Sequence, residues 1–145
     1  MKNKNVFLGI FVSLFFTACS VVSVENNSSI KPMATLTNTY FKATVLNGSE
    51  VEIFNREPHI RFQDDGKVFG TLGCNNFFGT YKKDKNEIMF QGVASTKMMC
   101  HAIKTEDNFS KVLQNTKTYE IKEESLILFD KDKKEIAKFE AVYLK

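Results

Sequence analysis

The chain has 145 residues, 43% hydrophobic and 26% charged, with ten of its fourteen phenylalanines beyond residue 34 and no tryptophan. Its formal charge of +3 includes Lys2 and Lys4, so from residue 19 onward 18 basic side chains face 17 acidic ones, a net of about +1. Lys and Arg scattered among acids argue against nucleic acid as a partner, which calls for basic residues gathered on one face.

Lys2 and Lys4 open the chain, and residues 6–16 are apolar apart from Gly9 and Ser13. That run is too short for a membrane-spanning helix, which needs roughly 20 residues, and it has the layout of a secretory signal. Thr17-Ala18-Cys19 follows directly and resembles the bacterial lipobox, with Phe16 where that motif prefers Leu. The reading is a lipoprotein signal peptide over residues 1–18 and Cys19 as the lipidated first residue of the mature chain. Each buried methylene contributes about 0.8 kcal/mol and one acyl chain holds only marginally, so the multiple chains of a lipobox cysteine make a firm membrane anchor. Ser20 stands where an inner-membrane retention signal places Asp, which favours the outer membrane. Residues 19–34, with Asn26-Asn27-Ser28-Ser29 and Pro32, read as a flexible tether. Residues 35–145 are one domain's worth of chain.

Within that domain the apolar pattern has period two. Phe41, Ala43 and Val45 share a face, and Asn47-Gly48 signals a hairpin turn into Val51 and Ile53. Ile60 and Phe62 alternate with His59, Arg61 and Gln63; Asp65-Gly66 then turns the chain into residues 68–72. The polar stretch 82–87, including Lys82-Lys83-Asp84-Lys85, reads as a solvated turn before Ile88 and Phe90. Tyr119 and Ile121 lead through Glu123-Glu124 into residues 126–129. A charged turn over 130–134 precedes Ala137, Phe139, Ala141 and Tyr143. Short strands at this spacing predict a mainly β (α+β) fold, an antiparallel sheet or barrel. One segment breaks the period. Thr105 as cap, Glu106 and Asp107 in a first turn, and Phe109, Val112 and Leu113 at helical spacing predict one amphipathic helix, closed by Asn115-Thr116 and packed on the sheet.

Gly73-Cys74-Asn75, Gly79-Thr80-Tyr81 and Ala94-Ser95-Thr96-Lys97-Met98-Met99-Cys100 come before a Glu-bearing helix, which is followed by Tyr119-Glu120-Ile121 and Leu126-Ile127-Leu128. In this order they resemble the META domain family, the HslJ-like heat-shock lipoproteins of bacteria. The likeness covers nearly all of residues 35–145 and departs at Phe41, where the family carries Trp. It implies a partly open antiparallel β-barrel with the helix packed on it. It implies motif roles, structural or binding, for Gly73, Asn75, Gly79, Tyr81, Thr96 and Met98. It also implies a link to envelope stress and drug tolerance, without an agreed molecular activity. The implied fold is similar to that of pilot lipoproteins that escort secretin subunits.

Cys74 and Cys100 fall at the ends of predicted strands in what would be an oxidising compartment. A disulfide between them would stabilise the domain by roughly 3–4 kcal/mol. A metal site with His101 would lack the fourth ligand that structural zinc requires, and a redox pair would lack the Cys-x-x-Cys spacing that tunes a thiol. The disulfide is the expectation. Asn75 and Asn76 read as turn formers. Thr96 and Met98 are expected to fix the second motif by a side-chain hydrogen bond and a buried thioether. Phe77 and Phe78 are adjacent, so in a strand one faces away from the core; they are the ligand-groove candidates, the outward ring as lining, against the plain reading of extra core packing at a barrel end. His59 is expected to be exposed. Nucleophile-elbow, zinc-protease and phosphate-loop patterns are missing from the sequence. The expectation is a non-enzymatic envelope lipoprotein, with no metal or cofactor, that binds an envelope protein or apolar ligand or supports stress tolerance. The alternative is a pilot- or chaperone-like lipoprotein that grips a protein segment at the barrel's open end.

Overall fold

A sheet with one apolar face has to bury that face on itself or on a helix. In the computed structural model, which describes residues 33–101 and 103–143, it does both. The strands are β1 (Tyr40–Leu46), β2 (Ser49–Glu50), β3 (His59–Phe62), β4 (Lys67–Thr71), β5 (Asn76–Asp84) and β6 (Glu87–Ser95), followed after the helix α1 (Ile103–Asn115) by β7 (Thr118–Lys122), β8 (Ser125–Phe129) and β9 (Glu135–Val142). They form one antiparallel sheet in the order β2-β1-β3-β4-β5-β6-β7-β8-β9, and β1 also pairs with β9, so the sheet closes in a ring. The expected signal peptide, Cys19 and tether residues 20–32 lie outside the described residues. Ala34, the last residue of the expected tether, is buried and gives its N–H to Glu123 O at 2.9 Å.

The ring's interior is phenylalanine. Phe41, Phe62, Phe77, Phe109 and Phe139 are fully buried, each contributing about 2–3 kcal/mol of transfer free energy. The helix turns Phe109, Val112 and Leu113 inward, as its spacing predicts. The Phe109 ring meets Phe77 of β5 and Phe139 of β9, both at 5.5 Å between centroids, and so ties two walls of the ring together. Phe41 fills the position where the resemblance leads one to expect Trp. No buried side-chain nitrogen or oxygen among the described residues lacks a partner, so no side-chain acceptor waits there for an indole N–H.

The ring is not equally tight around its girth. β5 and β6 pair along their whole length, whereas β6 and β7 share the single pair Glu87↔Thr118. Beyond that pair the neighbour of β6 is the helix.

Departures from the expected pattern have local causes. A register shift between Ala43 and Val45 changes the phase of β1, so Leu46 rather than Val45 turns inward. Asn47-Gly48 makes the hairpin turn, with φ of 49° and 75° as a type I′ turn requires. β2 nevertheless ends at Glu50, because β3 occupies the same edge of β1 at Phe41 and Lys42. Val51 lies outside the strand and Ile53 is exposed. Lys82, Lys83 and Asp84 are not turn but the end of β5, and only Lys85-Asn86 turns. A strand end standing in solvent needs no apolar alternation. Thr105 sits inside the first turn of α1, which begins at Ile103. Tyr143 lies past the end of β9 and is exposed.

Candidate functional site

Leaving β4 for β5 requires a tight reversal, and Gly73 provides it with φ of 113°, where a Cβ would also stand 3.3 Å from Pro58 Cγ. Leu72 N–H closes the turn on Asn75 O at 2.8 Å, and Thr71 Oγ1 donates to the same oxygen at 3.2 Å. Arg56 holds the outer side, with Nη2 donating to Cys74 O at 2.6 Å. The turn brings Cys74, which is buried, to Cys100, and the two are joined in a disulfide with Cα atoms 6.3 Å apart. That separation lies in the range such a bond spans. The pairing is the expected disulfide, and in it neither sulfur is a free thiolate. No group of three or more His, Cys, Asp and Glu side chains placed to hold a metal occurs among the described residues, and His101 is exposed.

Asn75 is the hub of this joint. Only 2% of it is exposed, and its side chain uses both ends. Oδ1 accepts from Thr96 Oγ1 and from Met98 N–H, both at 2.7 Å. Nδ2 donates to Glu106 Oε1 at 2.9 Å and to Met98 O at 3.1 Å. The Asn75 N–H adds a contact to Glu106 Oε2 at 3.3 Å. One side chain thus links the β4–β5 turn, the segment after β6 and the first turn of α1. It is more than the local turn former its sequence context suggests. The amide orientation is fixed by the neighbours, since only nitrogen can face a carboxylate and only oxygen can face the Met98 N–H.

The other motif residues divide by role. Thr96 makes the expected side-chain bond and also accepts from Asn76 N–H at 3.1 Å. Met98 departs from expectation: the residue is 57% exposed. Its backbone N–H and carbonyl do the holding, which leaves the thioether free to face solvent. Gly79 lies at the register break of β5 and β6, where a Cβ would come within 3.0 Å of Gln91 O and Val93 Cγ2. Tyr81 is buried against Phe62, edge-on at 5.1 Å, and donates its phenol to Gln63 O at 2.9 Å. Strand alternation sends Phe77 and Phe78 to opposite faces, as their adjacency requires. Phe77 is buried, while Phe78 is exposed opposite Phe69, over whose ring the Arg61 guanidinium lies at 5.6 Å. His59 is half-buried rather than exposed. It stacks on Tyr40 at 4.3 Å, and burial lowers its pKa. Burial, reinforced by the charge and hydrogen bond of Glu57, pushes the Tyr40 phenol up to about 12.

A cleft of about 650 Å³ opens between β6 and α1. Leu72, Phe77, Phe90, Val93 and Leu113 supply its apolar lining, with Lys97 and Asp107 among its polar groups. Sequence reasoning found Phe77 here but missed the rest of the lining, because pattern alone does not say which strand lies beside the helix. It also missed Glu106 and Arg56 as members of the joint. Glu106 carries the signal of an acid in a helix's first turn, and that signal has a capping explanation. Gly70 went unassigned too: a Cβ there would lie 2.0 Å from His59 O, so the β3–β4 pairing tolerates glycine alone.

A family model described as META domain matches residues 34–143. No curated protein matches the chain. Among solved structures, one protein determined by NMR shares 24% identity over 74% of this chain and 95% of its own, with a TM-score of 0.60. Another NMR structure, of a protein from Burkholderia xenovorans, shares 14% over 75% of this chain and 85% of its own, with a TM-score of 0.61. At these identities the likeness is one of fold.

Proposed function

The chain belongs to the META domain family, and from that premise we propose that it is a bacterial envelope lipoprotein, acylated at Cys19, whose domain is a non-enzymatic binding module at the outer membrane. The carrying observation is the division of its three cysteines. Cys74 and Cys100 are bonded to each other, a state that persists in oxidising compartments. That leaves Cys19, placed directly behind an export signal, as the thiol for lipid. The polar atoms of the Asn75 joint are spent on holding turn, strand and helix together, which supports a scaffold reading for the motif. The cleft between β6 and α1, lined by both polar and apolar side chains, supplies a place for a partner or ligand, and a role in envelope stress tolerance would follow from what it binds. The pilot- or chaperone-like alternative gains from one feature, the long opening between β6 and β7, which suits a peptide segment better than a small molecule.

Membrane fractionation tests this reading. Wild-type protein is expected in the outer-membrane fraction and labelled by an alkyne fatty acid, whereas Cys19→Ala is expected unlabelled and released from the membrane. Equal labelling of the two would overturn it.

A further inference from the structure

We propose that the free edge of β6 is a strand-addition site for an extended peptide of a partner protein, apolar at alternate positions and acidic toward its C-terminal end. The proposal rests on the binding-module reading and names the partner's form.

The ladder phase gives the first argument. Ile88 turns its N–H away from β5 and donates to Lys117 O at 2.9 Å. In an antiparallel ladder alternate residues point the same way, so Phe90 presents its N–H and carbonyl on that side too, where β7 no longer runs. Past the register break opposite Gly79, Thr96 N–H returns to Asn76 O at 3.0 Å, so Ser95 again points outward. Among the described residues no strand pairs with 89–95 on that side. The segment from Met89 to Ser95 reads MFQGVAS and holds neither charge nor proline; of the devices that blunt an edge it has the register break at Gly92 and the helix across the cleft, which leave the backbone groups of Phe90 and Ser95 facing the cleft.

The second argument is what lies beside this edge. The cleft floor is the buried Leu72, Phe77 and Leu113, and the part-exposed Phe90 and the exposed Val93 give every second residue of an added strand apolar surface to meet. The free stretch is about 20 Å long at strand rise, room for five or six residues. The third argument is charge. An added strand antiparallel to β6 runs from the Ser95 end toward Ile88, where Lys82, Lys83, Lys117, Lys131 and Lys133 face Asp84, Glu87 and Asp130, and Asp132 pairs with Lys131, a net of about one positive charge. A peptide with acids at its C-terminal end matches that mouth.

The test uses the lipidated full-length protein in detergent. The probe is a fluorescent peptide of about eight residues, alternating valine and threonine and ending in two glutamates, with its backbone N-methylated twin as control. Ser95→Pro deletes only an edge donor, since that N–H faces away from β5, and Val93→Lys places a charge in the cleft at a part-exposed site, so the test survives if the proline variant fails to fold. The expected result is saturable binding, slowed amide exchange at Phe90 and Ser95, and at least about a tenfold weakening (some 1.4 kcal/mol) in each variant and with the N-methyl twin. No saturation up to about 1 mM, or equal binding by wild type and the folded variants, overturns strand addition. Crosslinking in the envelope separates the two levels. If Ser95→Pro and Val93→Lys capture the same partners as wild type, strand addition is wrong and the binding module stands. If wild type captures nothing and binds no probe, the binding module itself is wrong.

Discussion

Converting Asn75 to Asp is nearly isosteric and reverses one end of the buried hub. The wild-type Nδ2 donates to the Glu106 carboxylate at 2.9 Å; the variant sets one carboxylate against another at that spacing. Deleting the side chain altogether, as in Asn75→Ala, removes a bond to a charged group, worth about 1.5–3 kcal/mol, and three neutral ones at roughly 1 kcal/mol each. Allowing for non-additivity, about 4 kcal/mol is the expected loss, a Tm drop of roughly 15–20 °C in a domain of this size. Asn75→Asp is expected to lose at least as much at neutral pH. Its deficit is pH-dependent, with a definite sign. Two carboxylates sharing a site raise the folded-state pKa of the pair above the unfolded value of about 4. The folded variant therefore binds a proton more readily than the unfolded chain. Stability returns as pH falls below about 5 and is lost as pH rises through the folded-state pKa. A protonated carboxyl can then donate where Nδ2 did. Adding Glu106→Gln restores a donor facing an acceptor and is expected to recover part of the loss at pH 7. Thermal melts of oxidised protein at about pH 7 and 4.5 read all of this. If Asn75→Asp melts with wild type at neutral pH, Asn75 does not hold the helix to the turn.

Three further outcomes follow from the same geometry. Replacing Cys74 and Cys100 together by Ser opens a crosslink between residues 26 apart and is expected to cost about 3.5 kcal/mol in urea unfolding by the chain-entropy relation; a midpoint equal to wild type would show that the bond constrains nothing. Gly70→Ala would place a Cβ 2.0 Å from His59 O and is expected to yield insoluble protein, whereas Gly48→Ala meets nothing within 4 Å and is expected to fold with a cost of about 1 kcal/mol for its positive φ; soluble, native-like Gly70→Ala on a heteronuclear NMR spectrum contradicts the β3–β4 packing. Burial lowers the His59 pKa, so the folded chain resists protonation there: its contribution is full above about pH 6.5 and fades as pH falls through the lower folded value. An NMR titration of the His59 ring is expected to end below the free imidazole value, and His59→Phe to flatten the acid side of the stability profile; a ring titrating at or above about 6.5 places it in solvent.

Much of the architecture is written in local patterns. Ile60 and Phe62 and Leu126 and Leu128 alternate cleanly because one side of each strand faces the core, Ala137 and Phe139 do so beside a buried Ile136, and the Phe109–Val112–Leu113 stripe marks the helix for the same reason at a different period. Where a strand leaves the core the signal fades: the lysine-rich end of β5 looks like a turn because both its faces are wet. A bulge is silent in sequence, so Leu46 replaced Val45 on the inner face unannounced. The site is harder still. Asn75 and Glu106 stand 31 residues apart, and their meeting depends on how the helix crosses the ring. The turn at Gly73 and Asn75 and the pairing of the two cysteines were legible, but the opening beside β6 was not, since alternation tells which way a side chain faces and nothing about which strand lies next to it.

Intact-mass analysis of the protein extracted from its own membrane under non-reducing conditions bears most directly on the central claim. The account predicts a chain that begins at an acylated Cys19 and yields no free-thiol adduct at Cys74 or Cys100. A chain that starts elsewhere without lipid, or one that takes up alkylating agent at both internal cysteines, contradicts it.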